Sequence, residues 1–400
     1  MLRVANKNWR KKLTAAGHDF ATVGIGVVIV GVSIAAVVAG VARIAHGALA
    51  PQIIRPTTKS PSTPLTMGMA LGNTLWALPP KQLDAELQDI ASIGFTWIRT
   101  DIDWSVVQPS SAGDYNWAAY DRIVASANAH HLHVLGVLAY TPLWARQSQC
   151  ADSPKCAPAN VQDFAIFART AVKRYAPKGL SYWEIWNEPN NPDFWQPAPN
   201  PTAYAALLKT AYATIKATAP DMHVISGGLS PQADQTPSIS PRTFLAGMYA
   251  SGAGRYFDAL GDHPYSYPAL PNVIYDWSGW SQMADTTVSL RSLMNANGDE
   301  SKQIWATEYG APTGGPGDVV AAGNFRTDLH ADHVNEQFQV DFAQQSVAAY
   351  KTYPSVGPLF WYTYKDLGAG QGTNENFFGI IRADGTQKPL YAALKQLLGH

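Results

Sequence analysis

Charge of either sign is scarce in this chain of 400 residues. Only 15% of residues are Asp, Glu, Lys or Arg, and 29 basic residues stand against 30 acidic ones, a formal net charge of -1. So sparse and balanced a set argues against a polyanionic partner, and beyond the N-terminus no basic cluster offers a nucleic-acid face. Cysteine is nearly absent: Cys150 and Cys156 are the two, in Cys-Ala-Asp-Ser-Pro-Lys-Cys. With no histidine close by they are too few for a structural zinc site. Outside a membrane so short a loop is expected to close as a disulfide. A glycine-rich phosphate turn is also missing, since the first apolar run leads into Leu71-Gly72-Asn73-Thr74. That absence counts against an open dinucleotide-binding sheet. No cofactor and no metal are expected. The string His130-His131-Leu132-His133 superficially suits a metal-dependent hydrolase, but it lies before a strand, at the wrong end of a barrel.

Long apolar runs are lacking too, with one exception. Residues 20–42, from Phe20 to Ala42, carry no charge, and only Thr22 and Ser33 bear hydroxyls. A helix of that length spans roughly 34 Å, enough for a hydrocarbon core of about 30 Å. Arg3, Lys7, Arg10, Lys11 and Lys12 precede it and Arg43 follows it. The positive-inside rule then gives a cytoplasmic basic segment (1–19), a single-pass anchor in the cell membrane (20–42) and an extracytoplasmic remainder. The alternative is a signal sequence whose cleavage releases a secreted protein. Pro51, Pro56, Pro61 and Pro64 among Ser and Thr mark 43–66 as an extended linker.

From Met67 onward, apolar runs alternate with stretches of helical spacing. The runs are Met67–Leu71, Trp97–Ile102, His133–Ala139, Tyr182–Trp186, His223–Ser226, Ala259–His263, Gln303–Thr307 and Gly357–Tyr362. Between them fall sets such as Leu83/Leu87/Ile90, Phe164/Phe167/Val172 and Val288/Leu290/Leu293. Strand followed by helix implies a parallel sheet covered by helices, and eight repeats imply a closed (β/α)8 barrel over residues 67–400. The functional site of such a barrel lies at the C-terminal ends of its strands.

Two glutamates stand at such ends. Glu188 sits in Trp183-Glu184-Ile185-Trp186-Asn187-Glu188-Pro189, and Glu308 sits in Ile304-Trp305-Ala306-Thr307-Glu308-Tyr309-Gly310. A carboxyl that protonates the leaving oxygen and a second that attacks the anomeric carbon are what double-displacement glycoside hydrolysis needs. Glu188 is expected as acid/base and Glu308 as nucleophile, with the carboxyls about 5–5.5 Å apart. Asn187 offers an amide to a sugar 2-hydroxyl. Arg99 could hold Glu308 ionised, or instead pair with Asp101 or Asp103. His263 and Tyr265, in Asp262-His263-Pro264-Tyr265, could donate to the nucleophile and to sugar hydroxyls. Trp361, in Phe360-Trp361-Tyr362, could form the floor under the sugar to be cleaved. Trp104, Tyr140, Trp144, Trp195, Trp277 and Trp280 are further platform candidates. The aromatic load, 13 Trp and 18 Tyr, fits a carbohydrate cleft and equally a barrel core.

These strings together resemble clan A retaining glycoside hydrolases over about Met67 to Leu398. Family 39 is the nearest in look and the family 5 cellulase-like enzymes come second. The carriers are Trp186-Asn187-Glu188-Pro189, Asp262-His263-Pro264-Tyr265, Glu308-Tyr309-Gly310, Phe360-Trp361-Tyr362 and the closing Phe378-Gly379-Ile380-Ile381-Arg382-Ala383-Asp384-Gly385. The resemblance implies a barrel, retention of configuration and the roles given above. Little chain follows the eighth strand, so no β-sandwich of the kind many family 39 xylosidases carry is expected. The expected activity is therefore endo-acting hydrolysis of an extracytoplasmic β-linked oligo- or polysaccharide. An exo-β-glycosidase or transglycosylase is the alternative. In another class stands a catalytically silent carbohydrate-binding protein, though such proteins usually lose a glutamate.

Overall fold

A computed structural model describes residues 52–53, 66–320, 331–353, 355–368 and 372–399. Eight parallel strands close into a barrel in chain order. They are β1 (Met67–Ala70), β2 (Trp97–Asp103), β3 (His133–Ala139), β4 (Tyr182–Ile185), β5 (His223–Ser226), β6 (Ala259–Asp262), β7 (Gln303–Tyr309) and β8 (Val356–Tyr362). β8 closes the cylinder by pairing with β7 on one side and with β1 on the other, Leu359 opposite Met67. Each strand lies where an apolar run was expected, with ends shifted by at most two residues. Around the barrel run α1 (Pro80–Ile93), α2 (Ala118–Ala129), α3 (Val161–Tyr175), α4 (Pro201–Thr218), α5 (Pro241–Ala250), α6 (Leu290–Ala296), α7 (Glu336–Tyr350) and α8 (Pro389–Leu397).

Local chemistry sets these boundaries. Asn160, Asn200 and Ser240 each accept hydrogen bonds from the first free N–H groups of α3, α4 and α5, and Pro201 and Pro241 occupy opening helical positions where no N–H is needed. Ser289 caps α6 in the same way, so Val288 precedes the helix and stays exposed rather than joining its buried stripe. Along β2 the period of two separates Ile98 and Ile102, packed outward against helices, from Trp97, Arg99, Asp101 and Asp103 on the inner face. The interior near the N-terminal ends is filled by Ala70, Trp97, Leu135, Ile225, Ala259, Trp305 and Phe360. Trp97 meets Tyr182 at 4.7 Å and Trp305 at 5.7 Å, both edge to face. Gly357 lets β8 pass this floor, because a Cβ there would come within 2.1 Å of the Trp305 indole.

The basic segment 1–19, the anchor 20–42 and all of the linker 43–66 except Gln52, Ile53 and Thr66 lie outside the described residues. Gln52 and Ile53 pair antiparallel with Ile274 and Val273. Among the described residues no helix is long and apolar enough to cross a membrane. Cys150 and Cys156 are disulfide-bonded, as the short loop suggested.

Candidate active site

Arg99 lies at the centre of the barrel mouth, with no exposed surface. Its Nε and Nη2 grip Glu184 at 2.6 and 3.0 Å, Nη1 donates to Glu308 at 2.5 Å, and Nη2 also donates to Asn187 Oδ1 at 2.7 Å. Burial by itself lowers the Arg99 pKa, but Glu184 and Glu308 outweigh it and drive it well above the ordinary value. The guanidinium is thus fixed as a cation and offsets two buried carboxylates. It pairs with neither Asp101 nor Asp103. Glu184, which the sequence reading passed over, is the anchor of the group: it also accepts from the Gly228 N–H at 2.8 Å and from Thr307 Oγ1 at 3.4 Å. Its signal was available, a lone acid inside an apolar strand. Arg99 occupies the Asn187 carbonyl oxygen, so the NH2 is the end of that amide left to donate elsewhere.

The chain leaves β4 through a strained bend. Trp186 and Glu188 both adopt left-handed φ values, +72° and +47°. Such conformations cost about 1–3 kcal/mol each and persist only where neighbours enforce them. The enforcers are visible: the Glu188 N–H donates to Gly228 O at 3.1 Å, and the Tyr204 hydroxyl donates to Ile185 O at 2.9 Å. The bend turns the Glu188 carboxylate over the barrel axis. There Oε2 accepts from the Asn191 amide at 2.7 Å, and Oε1 meets His263 Nδ1 at 2.9 Å.

The second carboxylate, Glu308, takes a hydrogen bond from the Tyr265 hydroxyl at 2.9 Å, and the same oxygen lies 3.6 Å from His263 Nδ1. His263 therefore bridges the pair. Burial would lower its pKa, but Glu308 and Glu188 reverse the sign and raise it. One oxygen from each glutamate and a nitrogen of His263 all fall within 4.8 Å of one another. These three are the group among the described residues that could hold a metal ion, yet the set suits one poorly: Glu308 is already neutralised by the buried Arg99. Gly228 makes room for the histidine, because a Cβ there would stand 2.2 Å from His263 Nε2.

Of the residues singled out in the sequence, Arg99, Asn187, Glu188, His263, Tyr265 and Glu308 converge on this one point. Trp361 does not. Its side chain is fully buried among the outward-facing core residues, packed edge-on at 6.0 Å to Tyr309, with its indole N–H sealed and unbonded. Strand β8 puts Phe360 and Tyr362 on the inner face, so period two assigns the mouth to Tyr362. Tyr362 is partly buried, lies 5.3 Å from the Phe378 ring, and has its pKa raised by burial and then by Glu308. Among the platform candidates, Trp104, Trp195 and Trp280 are core residues with at most 2% exposure, whereas Trp277 is 45% exposed and stacks on Tyr275.

Three further ionisable groups face the cleft. Burial raises the Asp101 pKa to about 6 against the pull of Arg99 and Lys155. Glu375 is exposed at the rim, and partial desolvation, with Glu188 and Glu308 adding to it, raises its pKa. Lys155 comes from the disulfide-closed loop; burial lowers its pKa while Asp101, Asp103, Glu188 and Glu308 oppose the change.

Residues 59–324 match the cellulase family, glycosyl hydrolase family 5. No curated protein matches the chain. Among solved structures, a family 39 glycoside hydrolase from the gut symbiont Bacteroides cellulosilyticus is similar at 24% identity and a TM-score of 0.63, over 84% of this chain and 63% of the other. A monomeric β-xylosidase from Caulobacter crescentus follows at 18% identity and a TM-score of 0.60, over 84% and 68% of the two chains. The GH5_18 enzyme from Streptomyces cattleya, solved with GlcNAc, has 17% identity and a TM-score of 0.60, over 83% and 79%. The aligned part thus spans less than two thirds of the first of these relatives.

Proposed function

The chain belongs to glycosyl hydrolase family 5, the cellulase family, and from that premise we propose that it cleaves β-glycosidic bonds by double displacement, with Glu188 as acid/base and Glu308 as nucleophile. The observation that carries the assignment is the unequal wiring of two close carboxylates. Glu308 receives a buried guanidinium and a phenol, both of which favour the charged form that attacks the anomeric carbon. Glu188 touches no arginine; it meets His263 and a neutral amide, partners that tolerate a carboxyl gaining and losing a proton through the cycle. Their separation, with an oxygen of each inside 4.8 Å, fits the short spacing of retaining enzymes, about 5–5.5 Å between carboxyl groups. His263 lies between them and can relay charge changes from one to the other.

The substrate in this reading is a β-linked polysaccharide cut internally. Anchoring by residues 20–42 would place the enzyme on extracytoplasmic glycan. An exo-acting enzyme is the second reading, because a similar structure is named a β-xylosidase. The deciding experiment screens the chain from Met67 onward against β-linked polysaccharides and aryl glycosides, and follows the first-formed anomer by NMR. Retained configuration and loss of turnover in Glu308→Ala support the assignment; an inverted product overturns the two-glutamate scheme. Oligosaccharide or single-sugar release separates endo from exo action. Flotation of the full chain with membranes, against a soluble chain starting at Met67, tests the anchor.

A further inference from the structure

The phenol that serves Glu308 is itself held by a ring from a distant part of the chain. Tyr265 stands in the loop after β6 and donates its hydroxyl to Glu308 Oε2 at 2.9 Å. Two rotatable bonds separate that ring from its backbone, so its reach depends on what packs against it. His263, Tyr267 and Tyr309 are neighbours from its own loop and from β7, with ring centroids 6.3, 6.4 and 6.5 Å away. Phe378 comes nearer, edge-on at 5.8 Å, and it arrives from the stretch between β8 and α8. It is 2% exposed, and its ring also meets Tyr267 at 5.9 Å and Tyr362 at 5.3 Å. Phe378 thus fills the space between the loop after β6 and the end of β8.

The backbone that carries Phe378 is pinned on two sides. Buried Lys388 donates through Nζ to Asp366 Oδ1 at 2.8 Å, to Thr313 Oγ1 at 2.8 Å and to Phe377 O at 3.2 Å. Asp366 Oδ1 accepts in addition from the Gly379 N–H at 2.9 Å. The Thr313 N–H donates to Phe377 O at 3.0 Å, and the Thr363 N–H to Phe378 O at 3.3 Å. Gln339 on α7, fully buried, donates to Ala311 O at 2.9 Å and to Phe378 O at 3.4 Å. Residues 377–379 are therefore bonded to the chain after β7 and after β8, the strands that carry Glu308 and Tyr362. A ring on so fixed a backbone can hold a neighbour in place.

We infer that Phe378 is a positioning residue for the nucleophile, its ring wedging the Tyr265 phenol into hydrogen-bond range of Glu308. The inference rests on the glycosidase reading and deepens it, adding a residue that acts on Glu308 only through Tyr265. Truncation of Phe378 would open a space beside the phenol and free a rotation that the other three rings do not block.

The test is a double-mutant cycle with a structure behind it. It measures kcat/KM for wild type, Phe378→Ala, Phe378→Leu, Tyr265→Phe and the double variant of Phe378→Ala with Tyr265→Phe. The substrate is whichever of p-nitrophenyl β-glucoside, β-mannoside and β-xyloside wild type turns over best. Tyr265→Phe removes the hydroxyl and keeps the ring, and should lose about 10–100-fold, the usual worth of a hydrogen bond to a charged group. Phe378→Ala should lose about 10-fold or more when the hydroxyl is present and less than about two-fold when it is gone. Phe378→Leu, which refills the space, should recover most of that loss. Equal losses in the two backgrounds are what a residue that merely supports the fold would give, and would overturn the inference. A crystal structure of Phe378→Ala supplies a readout independent of turnover. The Tyr265 hydroxyl should move beyond about 3.5 Å from Glu308, out of hydrogen-bond range; a contact unchanged from wild type would overturn the inference whatever the kinetics. Should Phe378→Ala fail to fold, Phe378→Val takes its place in both measurements. A wild type that turns over neither these glycosides nor any β-linked polysaccharide sinks the glycosidase reading instead, and the crystallographic distance then decides the positioning alone.

Discussion

The barrel interior has two ends made from the same strands and opposite materials. At the N-terminal end Trp97, Tyr182, Trp305 and Phe360 interlock edge to face, a dry aromatic floor. At the C-terminal end the same inner faces carry Arg99, Asp101, Glu184 and Glu308, with hydrogen bonds in place of ring contacts. Strand β2 makes the whole passage within one face, from Trp97 to Asp103. Each end also holds a glycine under a ring: Gly357 beneath Trp305, and Gly228 beneath His263. The lesson is a division of labour along the strand axis. Ring packing at the floor sets stability, while the mouth carries buried charge and left-handed backbone that cost stability and position the reacting groups.

Five substitutions bear on that division. Replacing Glu308 by Gln should lower turnover of natural glycosides by roughly 10^4-fold or more, as removal of a covalent nucleophile does, with the midpoint of urea unfolding moved little. A matching collapse of the midpoint would show that the mouth, too, is holding the fold. At the floor, Trp305→Ala should cost about 3–5 kcal/mol of stability, read from denaturant curves, while kcat per folded molecule stays within a few-fold. A specific loss of kcat there would erase the contrast. Gly228→Ala should displace His263 and reduce kcat/KM about 100-fold, some 2.7 kcal/mol in barrier, whereas Gly357→Ala should act on stability alone, by about 1–3 kcal/mol of overpacking. The smallest effect is expected for Glu375→Gln. Glu375 is exposed, and partial desolvation followed by the charges of Glu188 and Glu308 raises its pKa. Removing its charge beside the paired carboxylates should change kcat/KM by less than about ten-fold at any pH. A larger loss would make Glu375 part of the reacting group.

How much of this was readable beforehand differs between backbone and side chain. The strands announced themselves as short apolar runs, because a parallel barrel buries both faces of each strand. Glu188, Asn187 and Glu308 were legible because a polar residue at the exit of such a run has few other reasons to be there. Period two was harder to apply. Leu359-Phe360-Trp361-Tyr362 is apolar on both faces, so the string does not say which residues point inward, and the platform role was given to Trp361 instead of Tyr362. Glu184 was overlooked beside the more conspicuous Glu188, although a lone acid on an apolar strand requires a buried cation, and Arg99 was in plain view. Lys155 could not have been read at all. Its place depends on a loop folding back onto Tyr140 and Phe194, contacts that no local pattern encodes.

The covalent ring around Lys155 ties the cleft to the thiol–disulfide balance of its surroundings. Two electrons open it, and Cys156 adjoins the lysine directly. In a glutathione-rich compartment the loop would lose its latch and the ammonium its fixed address, while the paired glutamates, held by barrel strands, would remain in place. Reduction and alkylation should therefore impair turnover of long glycans, which reach the rim, before hydrolysis of an aryl glycoside fails, which assays on both substrates would show. Selectivity and chemistry would then respond to different signals: one to the redox state outside the barrel, the other to the charges within it.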